Sequence, residues 1–252
     1  DLAWPLPTVA TLLERYVVSK SDGIITVSPS IMKRLASYGA KRRLMIFNSR
    51  TTEHFSSNVS SHEFRKELGI DSSKLILLYI GSLGPGRSVM EAIDAVNSSE
   101  KNNLILGGHG MWASKVSEAI RYSKNVTFLG TVPSDELPKY FSIADVILGM
   151  RDPSIPDHAI SLPNKFFEAA AAKKPIIASS GTFVGELVLK HKLGQLANYG
   201  SVESLLKSLE SLQDMELRMR CGDSGADLLS GKFGWKWQAR KLNLLYNNLV
   251  KK

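Results

Sequence analysis

The chain has 252 residues, of which 43% are hydrophobic and 22% charged, enough to bury one large core or two modest ones. Its longest apolar runs, such as Leu75 to Ile80 and Ala169 to Ala172, fall far short of the ~18 to 20 residues a membrane span needs, and the single Cys221 excludes a disulfide framework. The formal charge of +8 is uneven: residues 1 to 50 carry a net +5, residues 231 to 252 a net +6, and the 180 between them −3, which argues against a uniformly basic nucleic-acid coat.

The opening Asp1-Leu2-Ala3-Trp4-Pro5 has neither the basic start nor the apolar core of a signal peptide, so a reducing, cytoplasmic setting is expected. The sequons at Asn58, Asn97 and Asn125 would matter only after secretion. Residues 8 to 21 read as a helix and Gly23 to Val27 as a strand. Ser28-Pro29-Ser30 starts a second helix, with proline early enough that its missing N–H costs little. Leu44 to Phe47 reads as one further strand, and the polar stretch Thr51 to Ser61 as a linker. Two strands and two helices make a poor independent domain, so this segment is expected to complete a sheet whose earlier strands precede it, leaving an apolar face beside Ile24, Ile25 and Val27. On this reading the chain is truncated.

From Lys74 onward strand and helix alternate. Leu75 to Ile80 is a continuous apolar run, as expected of a strand buried on both faces, and a helix over Ser88 to Asn97 follows it. The unit recurs as Leu104 to Leu106 before Ala113 to Tyr122, Val126 to Leu129 before Glu136 to Ile143, and Asp145 to Leu148 before Asn164 to Ala172. Pro175 to Ala178 before Val184 to Lys192, and Gly194 to Leu196 before Val202 to Leu212, complete the series. Six such units predict an α/β fold with a doubly wound parallel sheet. In such sheets ligands bind beyond the carboxyl ends of the strands, which places 81–87, 107–110, 130–133, 149–165 and 179–186 around one crevice. Two last helices are predicted over Met215 to Ser230 and Trp235 to Val250, the second with Trp237, Leu242, Leu245 and Tyr246 on one face.

Gly81-Ser82-Leu83-Gly84-Pro85-Gly86-Arg87 is a glycine-rich turn between a buried strand and a helix. Its backbone can approach a diphosphate closely, and Arg87 offers a guanidinium fork to phosphate oxygens; the bland alternative is a tight turn with a solvated arginine. Pro163 to Glu168 opens a helix, where Lys165 can meet phosphate. One turn on, Glu168 could accept from both hydroxyls of a ribose, or merely cap a helix. Gly107-Gly108-His109-Gly110 could wrap a nucleotide or sugar, though a strand-to-helix turn explains the glycines equally well. Glu186, at a helix start, could approach a sugar or stabilise the helix dipole. No His/Cys cluster has metal-ligand spacing and no Asp-x-Asp occurs, so no metal is expected.

Several segments together resemble the retaining family-4 glycosyltransferases of the GT-B fold: Ser21 to Ser28, Phe47-Asn48-Ser49-Arg50 with Phe55, Tyr79 to Arg87, Asn125 to Val132, Ala144-Asp145-Val146, Pro163 to Glu168 with Lys174 to Ala178, and Phe233-Gly234-Trp235. It is their order and spacing, across nearly the whole chain, that carries the likeness. The resemblance implies two Rossmann-like domains across a cleft: residues 1–58 as the end of the acceptor-side domain and linker, 59–230 as the nucleotide-sugar domain, and 231–252 as a helix returning to the acceptor domain. It implies Arg87 and Lys165 as catalytic cations, and Gly81, Gly86, His109, Gly130, Thr131, Val132, Asn164, Glu168 and Glu186 as nucleotide-sugar contacts. The implied donor is a nucleotide-diphosphate sugar and the implied acceptor lipid-linked or saccharide, in surface polysaccharide or glycolipid synthesis. No nucleic acid is expected as a partner; an anionic membrane surface is, with the protein peripheral on the inner face. Two departures stand out. Ser82 occupies a position that is often basic in the family, and Ile160 stands where an acid is usual, with Asp157 and His158 near enough to substitute if the loop shifts. The alternatives are a non-catalytic nucleotide-binding module, for which Ile160 is an argument, and a non-hydrolysing nucleotide-sugar epimerase.

Overall fold

The computed structural model describes residues 6–55 and 60–250. Asp1 to Pro5, the sequon at Asn58 and the terminal Lys251 and Lys252 lie outside the described residues. The chain divides into two compact units, Asp1–Ser49 with Lys232–Lys252, and Arg50–Gly231. These boundaries fall at 49/50 and 231/232, against the 58/59 and 230/231 read from the sequence.

The first unit opens with α1 (Leu6–Lys20), β1 (Ile24–Thr26), α2 (Pro29–Ala36) and β2 (Arg43–Met45). β1 and β2 pair in parallel, Ile25 opposite Leu44. Alternation along β1 buries Ile24 and Thr26 and leaves Ile25 and Val27 exposed at 44% and 36%. Leu12, Leu13, Tyr16 and Val17 of α1 are exposed as well.

The second unit begins with a 3₁₀ turn over Thr52–Phe55, inside the stretch read as a linker, and α3 (Ser61–Glu67), which starts at that stretch's last residue. Ser60 caps it by accepting from the Glu63 N–H, and Phe64 is buried. There follow β3 (Leu75–Ile80), α4 (Val89–Asn97), β4 (Asn102–Gly107), α5 (Ala113–Ala119), β5 (Val126–Phe128), α6 (Leu137–Ile143) and β6 (Val146–Leu148). Then come α7 (Pro156–Ile160), α8 (Asn164–Ala171), β7 (Ile176–Ser179), α9 (Phe183–Lys190), β8 (Gly194–Ala197), α10 (Val202–Ser211) and α11 (Met215–Ser230). α7 falls within a stretch that the sequence reading left as loop; it is one short turn started by Pro156.

All six strands of this unit are parallel, in the order β5-β4-β3-β6-β7-β8. One face of the sheet presents Leu77, Leu104, Leu106, Val146 and Leu148 to a core closed by Ile93 and Val96 of α4 and Leu205 and Leu209 of α10. The alternate residues Ile76, Leu78, Ile105 and Ile147 point the other way and are equally buried, so helices cover both faces. The strand order reverses between β3 and β6. There the ladder is short, Leu77 to Val146 and Leu78 to Ile147. Asp145 extends it at the amino end, its N–H donating to Ile76 O (2.9 Å) and its carboxylate accepting from Ile76 N (2.8 Å) while paired with Arg65 (3.0 Å).

The chain closes with α12 (Trp235–Val250), part of the first unit. Its packed face is only partly the expected one, for Leu242 and Leu245 are half-buried. Trp237 and Tyr246 are exposed, whereas Gln238 is fully buried, accepting from Phe47 N–H and donating to Lys232 O. Lys241 donates to Met45 O, and Phe233 stacks on Phe47 at 4.9 Å. The rotation follows from that buried amide, which satisfies backbone groups an indole or phenol at this position would leave unpaired.

Candidate functional site

The reversal of strand order makes the loops after β3 and β6 the walls of a crevice at the carboxyl ends of the strands. The β3 loop is held rigidly. Gly81 N–H donates to Gly107 O (2.9 Å), Leu83 N–H to His109 O (2.8 Å), and the Tyr79 hydroxyl to Ser82 O (2.6 Å). The Tyr79 phenol is pushed up to about 12, mainly by burial. The loop after β4 lies directly against this one: a Cβ on Gly108 would sit 1.8 Å from the Gly81 carbonyl oxygen. Glycine there is needed for packing between loops, which favours the structural reading of the 107–110 glycines. The His109 side chain is exposed, and it is the His109 carbonyl that works here.

Gly86 has φ +75°, in the left-handed region, and a Cβ there would lie 2.7 Å from His158 Cε1. The glycine therefore lets the β6 loop close on the β3 loop. Asp152 N–H donates to Gly86 O (3.1 Å) across the same junction. His158 is buried, and its Nδ1 has no hydrogen-bond partner. Burial, then Arg151 and Arg87, lower the imidazole's pKa against the opposing pull of Asp152 and Asp157, so at neutral pH the ring is uncharged. Of the two side chains weighed as substitutes for an acid at Ile160, His158 is thus turned onto the glycine-rich loop, while Asp157 is exposed.

Pro163 leads into α8, and Lys165 sits in its first turn. Its Nζ donates to Ile80 O (2.8 Å), lies 3.6 Å from the Tyr79 ring centroid, and comes within 3.4 Å of the position a Gly81 Cβ would take. The structure so brings Lys165 against the start of the glycine-rich loop. Burial pushes its pKa down to about 7; Glu168 opposes that shift, and Arg87 and Arg151 reinforce it. Glu168, one turn on, is only 12% exposed at its side chain and faces Arg50 Nη2 at 3.6 Å. Burial raises its pKa, with Lys165, Arg50 and His54 pulling it back. A surface or capping role does not fit a carboxylate so enclosed.

The remaining residues are more dispersed. Gly130, with φ +65°, accepts from Gly108 N–H (2.6 Å), and Val132 packs over Gly107. Thr131 is exposed, as are Asn164 at the first position of α8 and Glu186 in the first turn of α9, a helix capped by Thr182. A depression lined by Ser99, Asn102, Leu206 and Gln213 lies at the opposite, amino end of β4 and holds none of the residues singled out from the sequence.

Sequence reasoning passed over three side chains that the fold brings here: Tyr79, Arg50 and Arg151. Arg151 is partly buried, its N–H donating to Ser179 Oγ (2.8 Å) and its guanidinium to Ser161 Oγ. The available signal was its position, three residues past a buried strand in Leu148-Gly149-Met150-Arg151.

A doubly wound parallel sheet, with a glycine-rich loop and the cations Arg87, Arg151 and Lys165 on the segments flanking its point of reversal, defines an α/β protein of the Rossmann-like kind. The model of the family "Glycosyl transferases group 1" matches residues 60–227, more than half of the chain, and the chain belongs to that family. Among curated relatives, an uncharacterised glycosyltransferase of Methanocaldococcus jannaschii is 24% identical over 237 residues, 93% of this chain and 62% of the relative. The GDP-mannose-dependent alpha-(1-6)-phosphatidylinositol monomannoside mannosyltransferase of Mycobacterium tuberculosis is 24% identical over 254 residues, 96% of this chain and 66% of the relative. The chain thus spans between about half and two thirds of the length of such relatives. Among solved structures, Anabaena Alr3699/HepE in complex with UDP and glucose superposes with a TM-score of 0.78 at 16% identity, covering 100% of this chain and 70% of that one. Sucrose-phosphate synthase from Thermosynechococcus elongatus gives 0.78 at 19%, covering 97% and 62%. The α/β fold with its parallel sheet is that of the GT-B glycosyltransferases.

Proposed function

We propose that the second unit binds the nucleotide-diphosphate sugar of a retaining, family-4 type hexosyltransferase whose acceptor is lipid-linked or saccharide, in surface polysaccharide or glycolipid synthesis. One observation carries this reading: Lys165, buried against Ile80 O, Tyr79 and Gly81 at the head of α8, with Glu168 one turn beyond and the Arg87 loop beside it. The diphosphate lies along the glycine-rich loop, where Gly81 and Gly86 admit it closely. Arg87 and Lys165 neutralise the charge that builds on it as the sugar bond breaks, and no metal ion is assigned to that task. Glu168 receives the ribose hydroxyls, and the incoming acceptor hydroxyl attacks on the face the diphosphate leaves. The base lies by 130–132, and Asn164, His109 and Glu186 line the remaining edge.

The nucleoside diphosphate class is favoured by the relatives jointly, since one is named for GDP-mannose and one neighbour was solved with UDP. In the same proposal residues 1–49 and 232–252 belong to the acceptor side, and their basic excess meets an anionic membrane surface at ~1 kcal/mol per well-placed Lys or Arg. A thermal-shift panel of UDP, GDP, ADP and their sugars tests the reading: a ligand at 100 times its Kd adds ~2.7 kcal/mol of stability. Failure of every nucleoside diphosphate to stabilise the chain would overturn it. A non-catalytic nucleotide-binding module is the second reading, favoured by Ile160 at the end of α7. Donor binding with neither transfer nor donor hydrolysis by the protein carrying this chain would decide for it.

A further inference from the structure

We propose that Arg151 is a third diphosphate-binding cation of this crevice, gripping the anion from the β6 loop opposite Arg87 of the β3 loop. The proposal rests on the nucleotide-sugar reading and names a residue that neither the sequence nor the family match singled out.

Three observations lead to it. The first is position. Arg87 and Arg151 stand on the two loops that flank the reversal of strand order, and those loops are tied together by the Asp152 N–H to Gly86 O bond, one residue from each arginine. Lys165 stands in the first turn of α8, where the charges of both Arg87 and Arg151 act on it.

The second is that no acid forms a close ion pair with these cations. Among the described residues, none of Arg87, Arg151 and Lys165 makes an ion pair. The hydrogen bond of the Arg151 guanidinium goes to the neutral Ser161 hydroxyl, and that of Lys165 to a backbone carbonyl. The neighbouring acids are otherwise engaged: Asp152 accepts from Ser154 N–H (2.9 Å) and Oγ (2.7 Å), Glu168 faces Arg50, and Asp157 is exposed. Neighbouring like charges raise one another's cost of protonation: Arg151 and Lys165 both have lowered proton affinity, with burial the largest cause and the neighbouring cations adding to it, against the opposing pull of Asp157 on Arg151 and of Glu168 on Lys165. An anion of at least two charges relieves all three at once.

The third is that Arg151 is placed rather than loose. Its backbone is bonded to Ser179 at the end of β7, and its side chain to Ser161 just after α7. The guanidinium has five donors, and the serine takes one of them. A pinned planar fork suits the bridging of two phosphate oxygens, so the expected ligand is a diphosphate rather than a single phosphate.

The test is isothermal titration of the 252-residue chain with UDP, GDP and ADP, followed by the tightest of these and its monophosphate against variants. Wild-type chain that binds none of the diphosphates refutes the nucleotide-sugar reading itself. Given binding, Arg151→Met is expected to lose roughly tenfold or more in affinity for the diphosphate, the usual effect of removing a charged hydrogen bond, and less than threefold for the monophosphate. Arg151→Lys, which keeps the charge without the fork, should recover part of the diphosphate loss. Ser161→Ala, which removes the tether but not the charge, should weaken diphosphate binding clearly less than Arg151→Met does. Equal losses for the two nucleotides, no loss, or a Ser161→Ala variant as weak as Arg151→Met would overturn the proposal. Should Arg151→Met unfold by circular dichroism, Arg151→Gln, which retains a donor for Ser161, is read the same way. Unfolding of both makes Arg151 a structural residue and also overturns it.

Discussion

Lys165 should make nucleoside diphosphate binding a proton-linked reaction. In the free chain its ammonium is buried against Ile80 O and the Tyr79 ring with two arginines nearby, and its pKa falls to about 7. The form that attracts a diphosphate is the protonated one. Below about pH 7 it is already present; above, binding must first charge the amine, and affinity falls with rising pH until the pKa of the ligand-bound lysine is passed. With a free pKa near 7 the fall approaches tenfold per pH unit, ~1.4 kcal/mol, between pH 8 and pH 9. Over the same range the ligand's own phosphates gain no further charge, since their last pKa lies near 6. Titration calorimetry at pH 8, repeated in buffers of different ionisation enthalpy, should report net proton uptake on nucleotide binding. Lys165→Met should bind more weakly at pH 6.5 and take up almost none. Wild-type binding with no proton uptake at pH 8 and a flat affinity from pH 7 to 9 would show that Lys165 is fully charged in the free chain, or remote from the anion.

Arg87→Ala is expected to weaken a nucleoside diphosphate by about tenfold or more while leaving the bare nucleoside nearly unchanged; equal losses for UDP and uridine, or their counterparts with another base, would remove Arg87 from the phosphate site. Glu168→Gln should keep the fold but cut the preference for ribonucleotides over their 2′,3′-dideoxy forms, because one of two acceptor oxygens becomes a donor; an unchanged preference in competition titrations makes Glu168 structural. Gly108→Ala should cost at least ~2 kcal/mol in urea denaturation, since its Cβ has to displace the Gly81 carbonyl. A loss below ~0.5 kcal/mol would mean the two loops are less tightly joined than described.

The inner strands of the second unit were legible because they are buried on both faces and read as apolar runs; Leu75 to Ile80 matches β3 end to end. What escaped was short or polar. α3 has seven residues and starts in a serine-rich stretch, its one sequence mark being the Ser60 to Glu63 spacing of a capped start. α7 is a single turn. On α12 the aromatic residues drew attention away from part of the packed face, because pattern reading cannot anticipate that a glutamine is buried to satisfy the backbone amide of a segment far away in the sequence. In the crevice, Arg87, Lys165 and the glycine-rich loop could be named from the order of segments alone. Arg151 could not, since its burial depends on Ser161 and Ser179 arriving from ten and twenty-eight residues away.

The brief pairing of β3 with β6 bears on the order in which this unit acquires its parts. Leu77 and Leu78 meet Val146 and Ile147 only after two complete strand-helix repeats have been looped out between them, so the junction is far less local than the β3–β4 ladder and should close after it. Arg87 and Lys165 stand on opposite sides of that junction, so no contiguous stretch of the chain carries the crevice in miniature. A nucleotide present during refolding then finds nothing to bind until the junction has closed. It should leave the refolding rate unchanged and act almost wholly by slowing unfolding, as stabilising contacts absent from the transition state do.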